Sequence, residues 1–324
     1  MNIGLTYDLR SEYLAEGFTP DQTAEFDSEE TIIGIENALQ ELGHQTFRIG
    51  HIRNLVKQLC EGKRWDLVFN ICEGMYGIGR EAQVPALLDA WLIPYTFSDP
   101  LVLSVTLHKG LTKRIIRDAE IPTAPFFTVE KQEDILHCPL SFPVFIKPLA
   151  EGSGKGIGSK SIAYDIKAFE SECLRILNEY QQPALIEKLL TGREFTVGII
   201  GTGEKARVAG VMEVLIRDDA EESTYSRFIK ENYIGRVNYQ IVKGPVAEEC
   251  GKICLDAWKV LGCRDAGRID LKMDENSVPN FIEVNPLAGI NHVNSDLPIM
   301  MNLQNKTYLT LISEIIESAK ERIK

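Results

Sequence analysis

In the first third of the chain, apolar runs of strand length alternate with longer amphipathic stretches. Residues 3–7 and 66–71 read as strands. Residues 29–42 read as a helix that stops at Gly43, a residue suited to the positive φ of a helix C′ position. A second helix is predicted over 83–92 and a short strand over 94–97. Strands separated by helices predict a parallel sheet in an open α/β unit. The pattern then changes. The middle third predicts a helix over 109–118, strands over 126–129, 143–147 and 184–187, and a helix over 165–180. Strands over 194–200, 206–213, 268–272 and 279–283 dominate the last third, with a polar segment over 217–239, a helix over 247–261 and a terminal helix from about residue 307. The expected organisation is an N-terminal substrate-side unit over 1–97, a central unit over 98–187 and a C-terminal unit over 188–324.

Composition narrows the function classes. The 324 residues are 44% apolar and 25% charged, as in an ordinary globular protein of several domains. The formal net charge of −12 argues against a nucleic-acid partner, although a basic cleft could still hold a nucleotide. No apolar run approaches the roughly 18 residues of a membrane span. The first residues enter a strand directly and resemble no secretory signal. The seven cysteines contain no CxxC pair, and with the missing signal they point to the cytoplasm. Cys250 and Cys254, four apart on a predicted helix, read as buried core thiols rather than metal ligands, since none of the five histidines matches their spacing.

The densest glycine loop is Glu151-Gly152-Ser153-Gly154-Lys155-Gly156-Ile157-Gly158. Without Cβ atoms, backbone N–H groups can approach a phosphate closely, although a mobile surface turn would have the same composition. A Walker A loop is excluded, because Leu149 occupies its first glycine and Gly156 follows Lys155. A dinucleotide fingerprint starting at Gly152 fails at Ile157. Lys147 ends an apolar strand immediately before the loop and can reach phosphates from below as a point charge; Lys109, opening a helix, offers a second. Farther on, Arg268-Ile269-Asp270-Leu271 and Phe281-Ile282-Glu283-Val284-Asn285 alternate as strands do. If they pair, Asp270, Glu283 and Asn285 converge as hard oxygen ligands suited to Mg²⁺, while Ile269, Leu271, Ile282 and Val284 take the buried face. Arg268 beside them can hold developing negative charge.

Three co-linear strings, PVFIKPLAEGSGKG, ALIEKLLTGREFTVGI and GRIDLKMDENSVPNFIEVNPLAG, resemble the ATP-grasp enzymes and, among them, the D-alanine–D-alanine ligase branch. The segment IPYTFSDPLVLSVTLHKGLTKRI is similar as well. The resemblance runs from about Asp66 to the C-terminus. It implies an ATP-grasp fold of α/β and α+β character behind an N-terminal open α/β domain, with ATP between the central and C-terminal units. It further implies that Lys109, Lys147 and the loop residues Gly152, Ser153, Gly154 and Gly156 contact phosphates. Glu187, Lys188 and Leu190 would face the adenine, Glu194 the ribose, and Asp270, Glu283 and Asn285 would hold two Mg²⁺ ions, with Mn²⁺ as a substitute. Arg268, Ser153 and the Gly289 N–H would serve catalysis, in which a carboxylate is phosphorylated and an amine then attacks the acyl phosphate. Small amino-acid-like substrates are implied, and a homodimer is compatible.

Departures from the family concern the substrate. The first thirty residues lack its glycine-rich first turn with Ser and Glu, leaving Glu25 or Glu29 as candidates to hold an ammonium. Glu73 stands where the family has His, which favours a cationic or hydrogen-bond-donating substrate group; it could equally be a plain loop residue. In the covering segment Lys230 is kept on the ATP side, but Glu231 stands where Tyr is expected, unless the register shifts to Tyr233. Ser295 is a candidate near the acceptor carboxylate. D-alanine and other amino acids both remain open as substrates. A carboxylase or phosphoryl-transfer enzyme and a regulatory nucleotide binder are the readings outside amide ligation.

Overall fold

The computed structural model describes residues 1–216 and 237–323. Lys230, Glu231 and Tyr233 therefore lie outside the described residues, as does most of the polar segment; its far end, from residue 237, belongs to a strand. Among the described residues no helix is long and apolar enough to cross a membrane.

Among the described residues three sheets organise the chain. The first contains β1 (Asn2–Tyr7), β2 (Gln45–Arg48) and β3 (Leu67–Ile71) in the parallel order β2-β1-β3. In β1 and β3 nearly every side chain is buried, as expected of strands covered on both faces. Helices α1 (Arg10–Ala15), α2 (Glu29–Glu41), α3 (Ile52–Cys60) and α4 (Gln83–Ala90) complete the unit. The start of α2 is set by Ser28, whose side chain accepts from the Thr31 N–H, with Glu29 and Glu30 at the positive end of the helix. The edge strand β2 is mostly exposed, so no apolar run announces it. The strand expected over 94–97 is reduced to one bridge between Tyr95 and Val68. The chain leaves the sheet there because Phe97 has a positive φ and its N–H donates to Asp265.

Helices α5 (Pro100–Leu107) and α6 (Lys109–Asp118) lead into the second sheet. It holds β4 (Phe126–Val129), β5 (Val144–Pro148), β6 (Ile162–Ala163) and β7 (Ala184–Lys188), antiparallel in the order β4-β7-β5-β6. The predicted helix over 165–180 is α7 (Ile166–Arg175) continued by a wider π turn, and Phe169, Cys173 and Ile176 seal one sheet face. The third sheet is antiparallel: β8 (Glu194–Ile200), β9 (Arg207–Ile216), β10 (Val237–Ile241), β11 (Ala266–Met273) and β12 (Pro279–Asn285), ordered β10-β9-β8-β11-β12. Helix α8 (Pro245–Leu261) packs Cys250, Cys254 and Trp258 into the core of this sheet. Two further helices follow, α9 (Asp296–Leu303) and α10 (Tyr308–Lys320).

The two ends of the chain share one core. Ile3, Leu5, Ile32 and Leu39 pack with Leu311, Ile312 and Ile315 of α10. Beside them the fully buried Asp265 accepts from Phe97 N at 2.7 Å and Ser318 Oγ at 2.8 Å, and pairs with Arg322. The terminal helix is therefore part of the wall of the first unit as well as the end of the third.

Candidate active site

Two adjoining cavities are lined by the residues the sequence singles out. The larger, of about 350 Å³, is lined by residues of the second and third sheets. Strand β5 delivers Lys147 at its end, β7 delivers Glu187 and Lys188, and β8 delivers Glu194. Asp270 comes from β11, Glu283 from β12 and Lys109 from the start of α6. Phe145, Ile162 and Leu190 give it an apolar region, and Gly154 and Lys155 of the glycine loop also line it.

Its charges are paired with one another. Lys147 lies 2.8 Å from one oxygen of Glu187, and Lys113 lies 2.6 Å from the other. Burial pushes the Glu187 carboxyl up, but the two lysines outweigh it and hold it at about 2. Burial pushes Lys147 down, yet Glu187 and Glu283 raise it above the ordinary lysine value. Glu194 pairs with Lys272 at 2.9 Å and Lys188 with Glu275 at 2.6 Å. Lys109 donates to the Glu151 carbonyl and lies 3.6 Å from Glu283. Lys113 is a residue the sequence reading passed over. It stands one helical turn after Lys109, and that i,i+4 spacing is the signal that could have found it.

Strands β11 and β12 pair as antiparallel neighbours, with Arg268 opposite Asn285 and Asp270 opposite Glu283. The register shifts between Asp270 and Leu271, so that Leu271 faces Phe281. This bulge corrects one expectation: Ile282 does not join the buried face but lines the larger cavity, because the extra residue turns the strand there. Asp270 accepts from Thr196 Oγ1 at 2.9 Å and is paired with Arg268, which also lies 3.4 Å from Asp296. The donor set of Asp270, Glu283 and Asn285 is all oxygen, two carboxylates and one amide, and suits a hard divalent cation. Among the described residues no three His, Cys, Asp or Glu side chains are grouped to hold a metal, so such a site needs the amide as its third protein ligand.

The smaller cavity, of about 100 Å³, shares Lys109 with the larger one. Arg268, Asn285, Gly289 and Ser153 line it, together with Glu25, Glu73 and Glu81. Glu25 is fully engaged: it pairs with Arg80 at 2.8 Å and accepts from the Gly152 N–H at 2.6 Å. A Cβ on residue 152 would lie 2.4 Å from the Glu25 carboxylate, so this contact requires glycine. Arg80 also donates to the Ala150 carbonyl, joining the first unit to the base of the glycine loop. Glu73 and Glu81 make no hydrogen bond or ion pair among the described residues. Burial, then Glu81 and Glu25, push Glu73 well above the usual carboxylate range. Burial and Glu25 raise Glu81 to about 7 despite Arg80. Sequence pattern marks Glu73 but not Arg80 or Glu81, which follow in a short 3-10 turn over Arg80–Ala82. Ser295 accepts from the Asn291 N–H at 3.0 Å and sits beside Gly289 without lining the cavity.

Comparison with known proteins gives consistent results. The sequence model of the family described as D-ala D-ala ligase C-terminus matches residues 115–317. The D-alanine–D-alanine ligase of Aquifex aeolicus is 29% identical over 286 residues, covering 87% of this chain and 92% of that protein. Among solved structures, D-alanine–D-alanine ligase from Bacillus anthracis complexed with ATP superposes with a TM-score of 0.75 at 22% identity, covering 99% of this chain and 98% of the other. VanG D-Ala:D-Ser ligase from Enterococcus faecalis does so with a TM-score of 0.73 at 16% identity, covering 98% and 99%.

Proposed function

The chain belongs to the D-ala D-ala ligase C-terminus family, has the ATP-grasp fold and is an ATP-dependent ligase of the D-alanine–D-alanine ligase-like kind; on that premise we propose that it joins an amino-acid carboxylate to an amine through an acyl phosphate, using the two cavities in turn. The observation that carries this reading is Lys109 lining both cavities. One cavity offers lysines and carboxylates to a nucleotide, and the other offers Arg268 and the Gly289 backbone to a reacting carboxyl group.

In this reading the triphosphate lies over Lys109 and Lys147 beneath the glycine loop. The adenine packs near Leu190 with Lys188, Glu187 and Glu194 around the nucleoside. Mg²⁺ bound by Asp270, Glu283 and Asn285 would neutralise phosphate charge. A carboxylate oxygen of the donor attacks the γ-phosphorus and ADP leaves, which gives the acyl group a good leaving group. The amine of the acceptor then bonds to the acyl carbon, loses a proton, and inorganic phosphate departs. Arg268 and the Gly289 N–H, which both line the smaller cavity, hold the oxyanion between these events in this reading. Arg268 must exchange Asp270 and Asp296 for that charge. Gly152, Ser153, Gly154 and Gly156 keep water from the acyl phosphate. The units 1–97, 98–187 and 188–324 serve substrate, phosphate and metal respectively, in the cytoplasm and within a homodimer.

The test is a matrix of D- and L-amino acid pairs with ATP and Mg²⁺, read by mass spectrometry and by phosphate release. Phosphate release that depends on the added amine, with a new amide, is expected. ATP turnover that ignores every amine would overturn the ligation reading, and unchanged turnover in Glu283→Gln would overturn the metal assignment.

A further inference from the structure

The glycine loop has two faces. Gly154 and Ile157 line the larger cavity and also an outer cleft, which they share with Gly156, Glu172, Arg175 and Tyr180. Those last four line neither cavity of the candidate active site. The stem of the loop is tied by the first unit and by α6: the Gly152 N–H donates to Glu25, and the carbonyls of Ala150 and Glu151 accept from Arg80 and Lys109. Farther along, the loop is anchored from its outer side. Arg175 Nη2 donates to the Gly156 carbonyl at 2.9 Å.

Arg175 is itself held in place. Its Nε and Nη2 donate to the two carboxylate oxygens of Glu172 at 2.9 and 2.6 Å, a bidentate pair along α7. Nη1 donates to Glu179 at 3.2 Å, and the guanidinium lies 5.4 Å from the centroid of the Tyr180 ring. Glu172 is 3% exposed, so its carboxylate needs that partner. The π turn Ile176–Tyr180 continues α7 and ends on Tyr180; such a turn widens the helix and shifts the side chains that follow. Tyr180 is thereby brought against the loop. A Cβ on Gly156, whose φ is +78°, would lie 3.2 Å from the Tyr180 ring and 2.4 Å from Pro148 Cγ. Gly156 therefore rests on the residue that follows Lys147, with its carbonyl fastened to Arg175.

Resting on the reading that this loop covers the triphosphate, we infer that Arg175 is a positioning residue of the ligase reaction. It lines neither cavity and acts through the Gly156 carbonyl, which holds Gly154 and Lys155 against the larger cavity. Glu172 orients the guanidinium and Tyr180 backs it. The planar fork meets the carboxylate along one edge, and Nη2 has a second hydrogen for the loop. A loop fastened before ATP arrives does not have to be ordered by it, and it shuts water out once the acyl phosphate has formed.

The experiment uses the full chain with Mg-ATP and the amino-acid pair that gives most amide. Two variants are compared with the wild type: Arg175→Met, and Arg175→Met combined with Glu172→Met, which removes the buried carboxylate together with its partner and leaves no charge uncompensated. In both, the KM for ATP should rise about 10-fold, the scale of one charge-assisted hydrogen bond, with the KM for the amino acids unchanged. Phosphate release should exceed amide formation, and trypsin should cut after Lys155 faster in the presence of a non-hydrolysable ATP analogue. If Arg175→Met fails to fold, the double variant decides. A role confined to folding would lower the urea midpoint and leave the KM for ATP, the phosphate-to-amide ratio and the cleavage rate as in the wild type; that result overturns the inference. Gly156→Ala displaces the loop itself and separates the two ways of failing. A raised KM for ATP in Gly156→Ala alone sinks the role of Arg175 and spares the loop reading. An unchanged KM in Gly156→Ala sinks the loop reading, and the inference with it. Where no pair gives an amide, calorimetric affinity for the ATP analogue replaces the KM, with the same about 10-fold loss expected in the Arg175 variants and an unchanged affinity counting against the inference.

Discussion

The two cavities share Lys109 but treat charge in opposite ways. In the larger one Lys147, Lys113 and Glu187 satisfy each other, as do Lys272 and Glu194. In the smaller one Glu73 and Glu81 make no ion pair among the described residues, and Arg80 lowers both carboxyls without outweighing burial and the neighbouring acids. A self-paired network holds its geometry before any ligand arrives and can present lysines to a triphosphate without rearrangement. Carboxyl groups held above their ordinary range make the charge of the smaller pocket sensitive to pH and to its occupant. The contrast separates a pre-organised nucleotide site from a charge-sensitive substrate site.

The largest effect should come from breaking the paired network. Glu187→Gln leaves two buried lysines without their counter-ion and is expected to destabilise the fold by about 3–5 kcal/mol, measured as a shift in the urea midpoint at constant slope. A loss below 1 kcal/mol would mean that the lysines find other partners and that the network is not self-contained.

Next in size is the loss of charge stabilisation where the cavities meet. Arg268→Ala should lower kcat about 10²–10³-fold with little change in the KM for ATP. A rise in the KM for ATP with kcat preserved would place Arg268 on the nucleotide instead.

Smaller, and opposite in sign to Glu187→Gln, is Glu73→Gln. Replacing an acid that burial and the neighbouring Glu81 and Glu25 hold well above its ordinary range should stabilise the ligand-free protein by about 1–3 kcal/mol at pH 8. Thermal unfolding of both variants side by side tests the comparison directly: if both lose stability, the two cavities do not differ as described.

How far this was legible in the sequence follows the range of the interactions. Strands β11 and β12 showed in the alternation of Arg268, Asp270, Glu283 and Asn285, because period two is a local signal. The displacement of Ile282 was not, since a bulge depends on how the partner strand lies. Edge strand β2 was missed because its exposed residues carry no apolar pattern. The packing of α10 against Ile3 and Leu5 is a contact across the whole chain, and periodicity says which face of a helix is apolar but not what covers it. Lys147 stood out through its position before a glycine loop, while nothing in the local pattern around Glu81 singles it out. Its importance appears only when Glu73 and Glu25 are folded beside it.

The smallest effect is a pH dependence that distinguishes the cavities without altering the larger one. Glu81 has its carboxyl at about 7 in the folded protein, above the unfolded value of about 4.5, so between those values the folded state binds more protons than the unfolded one. Stability then falls as pH rises through this window and is fully recovered below it, with a slope of up to about 1.4 kcal/mol per pH unit for one proton. Asp27, also raised to about 7 by burial and by Asp8, adds a slope of the same sign. Glu187, held at about 2, works in the other direction: its stabilisation is present above pH 4.5 and is lost only as pH falls toward 2. The unfolding temperature should therefore climb as pH falls from about 7 to about 5 and turn down below pH 4.5. Glu81→Gln should flatten the upper limb by about one proton and leave the lower limb unchanged, because the acid that bends the lower limb belongs to the other cavity. An upper limb of undiminished slope in Glu81→Gln would show that its carboxyl is met by a partner, and the distinction between the cavities would then rest on Glu73 alone.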